Sequence, residues 1–424
     1  MINTPKIGYA SLNIDTHARF RTCRKDDLTE SLLRDLIRDN LDTLNAMLDY
    51  NIKQKNYFFR ISSSLIPFGS SPLNTLDWAH EFSDYFANLR TKIQTHQIRI
   101  SCHPGQYTVL NAQNEAVVAA SIEDLWYHTH LMELLSGNPN HKIILHVGGV
   151  YGDKQAAMNR FIDVYNHRLP EAIKKFLAIE NDDRLYSVAD ILYLSKMTGV
   201  PLIYDNLHHL INPSLDSLAP HEIVAQVIDT WKVNDGTPKV HYSQQAYNKR
   251  PGAHTDTINL DQFIDDYELL YSQFDLDIML EVKDKNRSFM KVNQYFNPSQ
   301  LVLEQEWGRY KYLIMSYSTH AYNELRLLFR ENKIVNPVAF YRVVDQTLSG
   351  PTTIGTQINA LEHAWGYFKH HASSTEQKRF FSYLDGLRAE TVTIQSITKF
   401  LYKLAVKYQS SYLRESYFLV SSTT

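Results

Sequence analysis

The chain contains 424 residues, of which 44% are hydrophobic and 21% are charged, with 15 glycines and 14 prolines. This composition is typical of a folded protein without low-complexity segments, and the length predicts two domains. Two cysteines exclude a disulfide framework, and neither a secretion signal nor a membrane-length apolar run is recognisable. We therefore expect a cytoplasmic protein with no membrane partner.

The charge is unevenly distributed along the chain. Residues 1–300 hold 29 Lys and Arg against 36 Asp and Glu, whereas residues 301–424 hold 14 against 10. An acidic region argues against a nucleic-acid partner, because phosphate binding relies on basic patches. Divalent cations bound to some of these carboxylates would reverse the local field, so the charge weakens a nucleic-acid hypothesis without excluding it.

Eight short apolar runs occur in the first 285 residues, and each ends near a polar residue able to bind a metal ion or a phosphate. The runs cover residues 7–9, 58–62, 98–103, 143–146, 177–180, 202–205, 239–241 and 278–281. Longer amphipathic stretches separate them, as in βα units. Eight such units predict an α/β protein with a closed (β/α)₈ TIM barrel, whose C-terminal strand ends converge on one mouth.

Histidines end the third and fourth runs. Pro104 and Gly105 follow His103 and stop its strand, and Gly148 lies shortly after His146. One histidine at a strand end is usually a hydrogen-bonded structural residue. Two at matching barrel positions favour a shared ligand.

Carboxylates end the fifth and sixth runs. Glu180 follows a wholly apolar strand, where an unpaired charge is costly, and few basic residues flank it, so a cation is a better partner than a salt bridge. Asp205 is followed three residues later by His208, which suits coordination of one or two ions. Either His208 or His209 is a candidate ligand; the spacing favours His208 and leaves His209 a supporting or packing role.

The last two strands complete the set. Lys239 and His241 point to the same side of their strand, His254 lies on the following loop, and Glu281 ends the eighth run. Five histidines and three carboxylates exceed the three ligands of one catalytic zinc and predict two or three ions. Such clusters catalyse phosphodiester hydrolysis, and mixed imidazole and carboxylate ligands suit Mn²⁺, Zn²⁺ or Fe²⁺.

These motifs together resemble the ultraviolet damage endonuclease family over about the first 290 residues. The resemblance is carried by Gly8-Tyr9 with Asn13, Phe59 to Ser63, His103 to Tyr107, Leu145 to Gly149, Glu180 to Asp182, Asp205 to His209, Lys239 to His241 and Glu281 to Lys283. It implies a TIM barrel related to endonuclease IV that nicks duplex DNA 5′ to cyclobutane dimers and 6-4 photoproducts. It further implies a manganese-preferring cluster of up to three ions and a nucleoid-associated location.

The resemblance also implies residue roles. Glu180 bridges two ions, and the other metal ligands are His103, His146, Asp205, His208, His241, His254 and Glu281. Glu180, Lys239 and His241 are the catalytic candidates. Lys239 is either carboxylated on its side-chain nitrogen, which makes it an anionic ligand, or a cation that binds the scissile phosphate.

Further residues are implied to contact DNA. The Gln106-Tyr107 pair inserts into the base stack at the lesion, Tyr9 and Asn13 line the lesion pocket, and Arg60 contacts phosphate. The chain departs from the family where many relatives place a histidine after the second strand, since it has Ser70 and Ser71 there. We expect activity to survive this change.

From residue 298 onward the pattern changes to amphipathic, aromatic-rich helices, which predicts a barrel domain at 1–297 and an all-α domain of four to six helices at 298–424. The runs Trp307 to Tyr312 and Asn359 to Lys369 resemble the YbgA-type domain, a family of uncertain function. Other repair proteins are its expected partners. The alternative functions are an abasic-site endonuclease of the endonuclease IV type, a metal-dependent sugar isomerase on the same barrel and a non-enzymatic DNA-binding module.

Overall fold

A computed structural model describes residues 4–15, 19–331 and 334–420. Within these residues the chain forms two compact units. The first comprises the described residues up to Ile258 together with Phe263–Met290. The second comprises Asn259–Gln262 and the described residues from Lys291 onward.

The first unit is built on eight parallel strands, one at each predicted apolar run. They close into a barrel in chain order, with β8 paired to β1. The strands are β1 Ile7–Ala10, β2 Phe58–Arg60, β3 Arg99–Cys102, β4 Lys142–His146, β5 Leu177–Glu180, β6 Leu202–Asp205, β7 Lys239–Tyr242 and β8 Asp277–Leu280. The predicted (β/α)₈ barrel is confirmed.

Helices follow the strands, as a parallel barrel requires. They are α1 Glu30–Lys53, α2 Trp78–Glu81, α3 Ser83–Thr95, α4 Glu115–Leu135, α5 Lys154–Asp163, α6 Glu171–Lys174, α7 Val188–Thr198, α8 Asn206–Ile211, α9 Pro220–Ile228, α10 Leu260–Leu270 and α11 Asn286–Phe296. Short 3₁₀ turns lie at Lys25–Asp27 and Val233–Asp235, and a π-helical turn at Val164–Arg168.

Side-chain caps fix where several helices begin. Thr29 accepts a hydrogen bond from the backbone N–H of Leu32 at the start of α1. Asp205 does the same for His208 at the start of α8, with a distance of 2.8 Å. Because a cap occupies an orphan N–H of the first helical turn, the last residue of β6 also sets the direction of α8. Asp205 and His208 are thereby held at one place in the mouth.

Alternation along the strands carries the polar residues into the mouth. Ile144, Ala178 and Ile203 form one buried cluster, and Ala10, Phe58 and Met279 form another. Successive strand residues point to opposite faces, so residues two positions further along share the inward face. From the first cluster these residues are His146, Glu180 and Asp205, and from Phe58 and Met279 they are Arg60 and Glu281.

Gly8 lets the strands approach closely inside the barrel. A Cβ at this position would lie 2.6 Å from the carbonyl oxygen of Phe58 and 2.7 Å from its ring. A larger residue would push β1 away from β2, with which it pairs at Tyr9 and Phe59. The glycine in the first run therefore serves barrel closure.

The second unit is helical throughout its described residues. Its helices are α12 Gln300–Tyr317, α13 Thr319–Glu331, α14 Pro337–Leu348, α15 Ile354–Trp365, α16 Ser374–Arg388, α17 Ile394–Lys407, α18 Ser411–Arg414 and α19 Tyr417–Val420. Six of these exceed ten residues, and α18 and α19 are single turns, so the predicted all-α domain is confirmed. Its core includes Leu361, Trp365, Phe380 and Leu401, with the rings of Trp365 and Phe380 stacked 4.3 Å apart. No helix among the described residues has both the length and the apolar character required to cross a bilayer.

Candidate metal centre

Six of the predicted ligands converge at the mouth of the barrel. Their donor atoms form two groups, each with all atoms within 4.8 Å of one another. The first group is His103, His146 and Glu180, and the second is Glu180, Asp205, His241 and Glu281. Glu180 belongs to both groups, so its two carboxylate oxygens join them.

Glu180 lies at the centre of this arrangement. Its Oε1 is 2.8 Å from Nε2 of His103 and 2.9 Å from Nε2 of His146, and its Oε2 is 2.5 Å from Nδ1 of His241. The residue is 2% exposed. Burying a carboxylate is costly unless cationic or hydrogen-bonding partners surround it, and here three imidazoles do so.

Several buried atoms of the centre lack a hydrogen-bond partner among the described residues. They are Oδ2 of Asp205, Nδ1 of His146 and both ring nitrogens of His241. His241 Nδ1 lies 3.0 Å from Glu281 Oε1 and close to Glu180, yet neither contact has hydrogen-bond geometry. Buried polar atoms are nearly always satisfied, so orphaned imidazole and carboxylate atoms facing one another fit ligands of divalent cations.

The electrostatics of the centre balance carboxylates against imidazoles. Burial opposes ionisation of Glu180, but His146, His241 and His103 outweigh it and hold its pKa well below the usual range. Burial and two neighbouring carboxylates raise the pKa of Asp205 despite the opposing effect of His208. Burial lowers the pKa of His241, whereas Glu180 and Glu281 raise it and prevail. The protein alone thus favours the protonated form of His241, whose proton a bound cation would displace.

His208 and His254 lie beside the two groups without belonging to either. The His208 ring is 6.0 Å from that of His146 and 6.3 Å from that of His254. Nδ1 of His208 donates to the carbonyl of Asn181 at 2.9 Å, and Nδ1 of His254 lies 2.6 Å from the carbonyl oxygen of Glu281. A backbone bond at Nδ1 reserves Nε2 for a ligand, which is the usual arrangement of metal-binding histidines. His209, by contrast, packs against the ring of Tyr204 at 5.5 Å.

Lys239 lies beneath this layer, two residues before His241. It is 1% exposed, its Nζ donates to Oγ of Ser101 at 3.0 Å, and the Phe58 ring lies 5.3 Å away. Burial, followed by Arg99 and Arg60, lowers the pKa of this amine well below its ordinary value. The side chain faces the barrel interior.

Three residues predicted to contact DNA have little or no exposed surface. Tyr9 and Asn13 are fully buried, and the Tyr9 hydroxyl donates to Asn51 Oδ1 at 2.6 Å. Tyr9 packs on Phe59 and Phe289 because it takes the outward-facing side of β1, so neither residue lines an exposed pocket. Arg60 is committed to an ion pair with Glu281 and is 11% exposed, so its guanidinium orients a candidate ligand and does not reach into solvent for phosphate.

A groove of about 1010 Å³ opens beside the centre, and Gln106 and Tyr107 line it together with His146 and His208. Tyr107 is 82% exposed. The sequence interpretation missed other lining residues, including Tyr151, Arg184 and Leu185. Gly148-Gly149 ahead of Tyr151 was the available signal, since glycines at a strand end allow close approach of a ligand.

The departure at Ser70 also lies in this groove. Ser70 Oγ donates to Asp124 Oδ1 at 2.6 Å, and Thr108 Oγ1 donates to Asp124 Oδ2 at 2.6 Å. Ser70 belongs to neither donor group. The position therefore supports the Gln106-Tyr107 loop rather than the metal ligands.

A closed (β/α)₈ barrel with two donor groups joined by one glutamate is typical of metal-dependent TIM-barrel enzymes. The family described as "UV-endonuclease UvdE" matches residues 5–302, and the chain belongs to this family. Residues 311–421 match "Protein of unknown function (DUF1722)". The predicted family memberships are confirmed.

Individual relatives agree with this assignment. The chain is 36% identical over 408 residues to a UV DNA damage endonuclease of Clostridium perfringens, covering 94% of this chain and 96% of that protein. It is 33% identical over 311 residues to a putative UV-damage endonuclease of Acanthamoeba polyphaga mimivirus, covering 70% and 92%. The crystal structure of SacUVDE is 38% identical, with a TM-score of 0.64 and coverage of 68% of this chain and 96% of that one.

Proposed function

We propose that this protein is an endonuclease that nicks duplex DNA immediately 5′ to ultraviolet photolesions, namely cyclobutane dimers and 6-4 photoproducts. One observation carries the proposal: two donor groups joined by Glu180 lie beside a groove that presents the exposed Gln106-Tyr107 pair. The donor groups would bind the metal ions that catalyse phosphodiester hydrolysis, and the groove would bind the duplex that the lesion distorts.

The centre would hold two or three divalent ions, with Glu180 bridging two of them. His103 and His146 would hold one ion, and Asp205, His241 and Glu281 would hold another, while His208 and His254 would supply Nε2 atoms at the edge. We propose Mn²⁺ as the resident ion, because mixed carboxylate and imidazole ligands suit it, with Zn²⁺ as the alternative. When bound, such ions polarise the phosphodiester and lower the pKa of an attacking water.

The chain's own residues prepare the site for this chemistry. The backbone bonds of His208 and His254 fix the orientation of their rings, and Arg60 fixes one oxygen of Glu281. Preorganised groups cost no rearrangement when charge develops in the transition state. Glu180 and His241, both buried, exclude bulk water from the base of the centre.

For Lys239 we propose carboxylation rather than phosphate binding. The side chain is buried two residues below His241, bonds to Ser101 and is not among the residues that line the groove. Addition of the neutral amine to carbon dioxide through Nζ, with loss of one proton, would create an anionic oxygen ligand for the centre. Carbon-13 NMR of protein incubated with labelled bicarbonate tests this, and a carbamate signal that persists in Lys239→Arg would contradict it.

At the lesion, we propose that Tyr107 replaces lost stacking while Gln106 bonds to the exposed base edges. The side chain of Tyr107 is available for this, because most of its surface is exposed. We further propose that residues 1–297 act on DNA and that residues 298–424 bind other repair proteins, in the cytoplasm at the nucleoid.

Nicking of irradiated plasmid tests the function. We expect nicking with Mn²⁺, none with a chelator, and none on unirradiated plasmid. A synthetic duplex with one thymine dimer and a second with one abasic site separate the proposed activity from that of an abasic-site endonuclease. Nicking of the abasic duplex alone would replace the proposal with that alternative. Turnover of free ketoses without action on DNA would indicate the sugar isomerase.

A further inference from the structure

The two most exposed aromatic side chains of the described residues lie on loops at the mouth of the barrel. Tyr107 is 82% exposed and Tyr247 is 90% exposed, whereas the next aromatic, Phe381, is 54% exposed. Tyr107 follows β3 and Tyr247 follows β7, and these strands are four apart in a ring of eight. The two loops therefore rise on opposite sides of the mouth.

Tyr247 stands on a short hairpin, residues 245–254, which we call the β7 arm. The arm is closed by a bridge between Gln245 and His254 and by a hydrogen bond from the N–H of Ala246 to the carbonyl of Ala253 at 2.7 Å. Within it, Gln245 Nε2 donates to the carbonyl of Arg250 at 3.0 Å, and Gln245 Oε1 accepts from the N–H of Gly252 at 2.8 Å. The side-chain amide of Gln245 therefore bonds to the opposite limb of the hairpin through both its nitrogen and its oxygen.

The base of the arm is tied to the metal centre and to the groove. The arm ends at His254, whose ring is bonded to the backbone of Glu281. Gly252, with φ of +78°, lies against Asp183, since a Cβ there would be 2.9 Å from Asp183 Oδ2. Asp183 and Arg184 line the groove that holds Tyr107. A continuous surface therefore runs from Tyr107 through the loop after β5 to the arm.

The arm carries positive charge and no negative charge. Residues 245–254 include Lys249 and Arg250 but neither Asp nor Glu. Both cations are exposed, and none of the ion pairs found among the described residues includes either of them. The arm thus presents two cations and an aromatic ring on a clamped backbone, which is the combination that nucleic-acid surfaces use.

We propose that the β7 arm is a second DNA-contacting element, which grips the duplex across the mouth from Gln106-Tyr107. Tyr247 stacks on a base that the lesion leaves unstacked, and Lys249 and Arg250 bind backbone phosphates on the same side. This inference rests on the proposed endonuclease function. A phosphodiester at the metal centre lies between the loops after β3 and β7, so the arm meets the duplex that the centre cuts.

The two contacts have different signatures. Stacking on a base depends on the lesion, whereas phosphate binding does not. We expect Tyr247→Ala to raise the half-saturating concentration of irradiated duplex by roughly tenfold, which is the usual scale for one stacked base. Tyr247→Phe retains the ring and should remain within about twofold of the wild type.

Loss of Lys249 and Arg250 should change how DNA affinity depends on salt concentration. Each neutralised phosphate contributes about 0.9 to the slope of log affinity against log salt. Lys249→Ala combined with Arg250→Ala should therefore reduce this slope by about 1.8 and weaken irradiated and intact duplex alike.

The experiment measures Mn²⁺-dependent nicking of irradiated duplex over a range of DNA and salt concentrations, with intact duplex as competitor. Tyr193→Ala and Lys196→Ala, both on the exposed side of α7, are the matched controls and should behave as wild type. Thermal melting and metal content verify that each variant is folded and loaded.

The outcomes separate this proposal from the proposed function. Absence of nicking by the wild type defeats the endonuclease assignment. If the wild type nicks irradiated DNA but Tyr247→Ala shows unchanged saturation, Tyr247 does not stack on a base. If the double variant shows an unchanged salt slope, Lys249 and Arg250 do not bind phosphates. Either result overturns the proposal. Equal losses in Tyr247→Phe and Tyr247→Ala would show that the ring does not stack and would also overturn the proposal.

Discussion

Replacing Glu180 by glutamine tests the arrangement of the metal centre most directly. The change keeps the shape of the side chain and removes the carboxylate shared by both donor groups. The first group falls from three donor residues to two, and the second from four to three. Because a catalytic metal site typically uses three protein ligands, the first ion should be lost and the second retained.

Activity should fall by a large factor. Even residues that only orient ligands contribute 10- to 100-fold in affinity or rate, so loss of a bridging ligand should reduce nicking by at least about 100-fold, or ~2.7 kcal/mol in the barrier. Binding of irradiated duplex should persist, since Glu180 is 2% exposed and offers no surface to DNA.

The assay combines metal content with single-turnover nicking. Protein is dialysed against Mn²⁺, the metal content per chain is measured by mass spectrometry, and irradiated plasmid is then added in limiting amount. Glu171→Gln is the control, because Glu171 lies on α6 just before β5 and its side chain is 87% exposed. A Glu180→Gln protein with the wild-type metal content and rate would refute the bridging arrangement.

Three further predictions concern the groove, the pH dependence and the helical unit. Tyr107→Ala should reduce the preference for irradiated over intact duplex by roughly tenfold in a competition binding assay while the metal content is unchanged; an unaltered preference would exclude stacking. Burial opposes a charged His208, but Asp205 and Glu180 raise its pKa to about 9, so a cation must displace its proton. Apparent metal affinity, measured by calorimetry, should therefore rise with pH up to about 9, and affinity independent of pH would contradict a role for His208. In the helical unit, Arg309 pairs with Glu306, which is 0% exposed, so Arg309→Met should destabilise the protein by about 3 kcal/mol in denaturant unfolding. A loss below about 1 kcal/mol would show that this pair contributes little.

The barrel and its ligand-bearing strand ends were largely predictable, because both follow from local patterns. Short apolar runs separated by amphipathic stretches leave few alternatives to parallel βα units, and a closed parallel barrel brings all C-terminal strand ends together. The predicted ends of β5 and β6, at Glu180 and Asp205, coincide with the observed ones. Convergence of the six scattered candidate ligands then needed no information beyond the fold.

The direction of individual side chains was less predictable. Tyr9 is the last residue of its apolar run, just as His146 is the last residue of the fourth run. Tyr9 nevertheless occupies the outward face of β1 and packs on Phe59. Its neighbour Gly8 faces inward, and a glycine gives no signal of which face a strand buries. Arg60 does face inward, but its pairing with Glu281 depends on β8 closing onto β1, which is a contact between distant parts of the chain.

The departure at Ser70 has a consequence for the loop that carries Tyr107. One carboxylate, Asp124, accepts from both Ser70 and Thr108, so the loop after β2 and the loop after β3 are joined through α4. Gly69 packs against the ring of Tyr127, which a Cβ would approach to 2.3 Å, and this fixes the first loop from beneath. An exposed ring such as that of Tyr107 gains no order from packing, so its direction is set by the backbone next to it. The hydroxyl of Ser70 helps to fix this backbone through its bond to Asp124 and does not enter the metal centre. All donor residues of both groups remain in place.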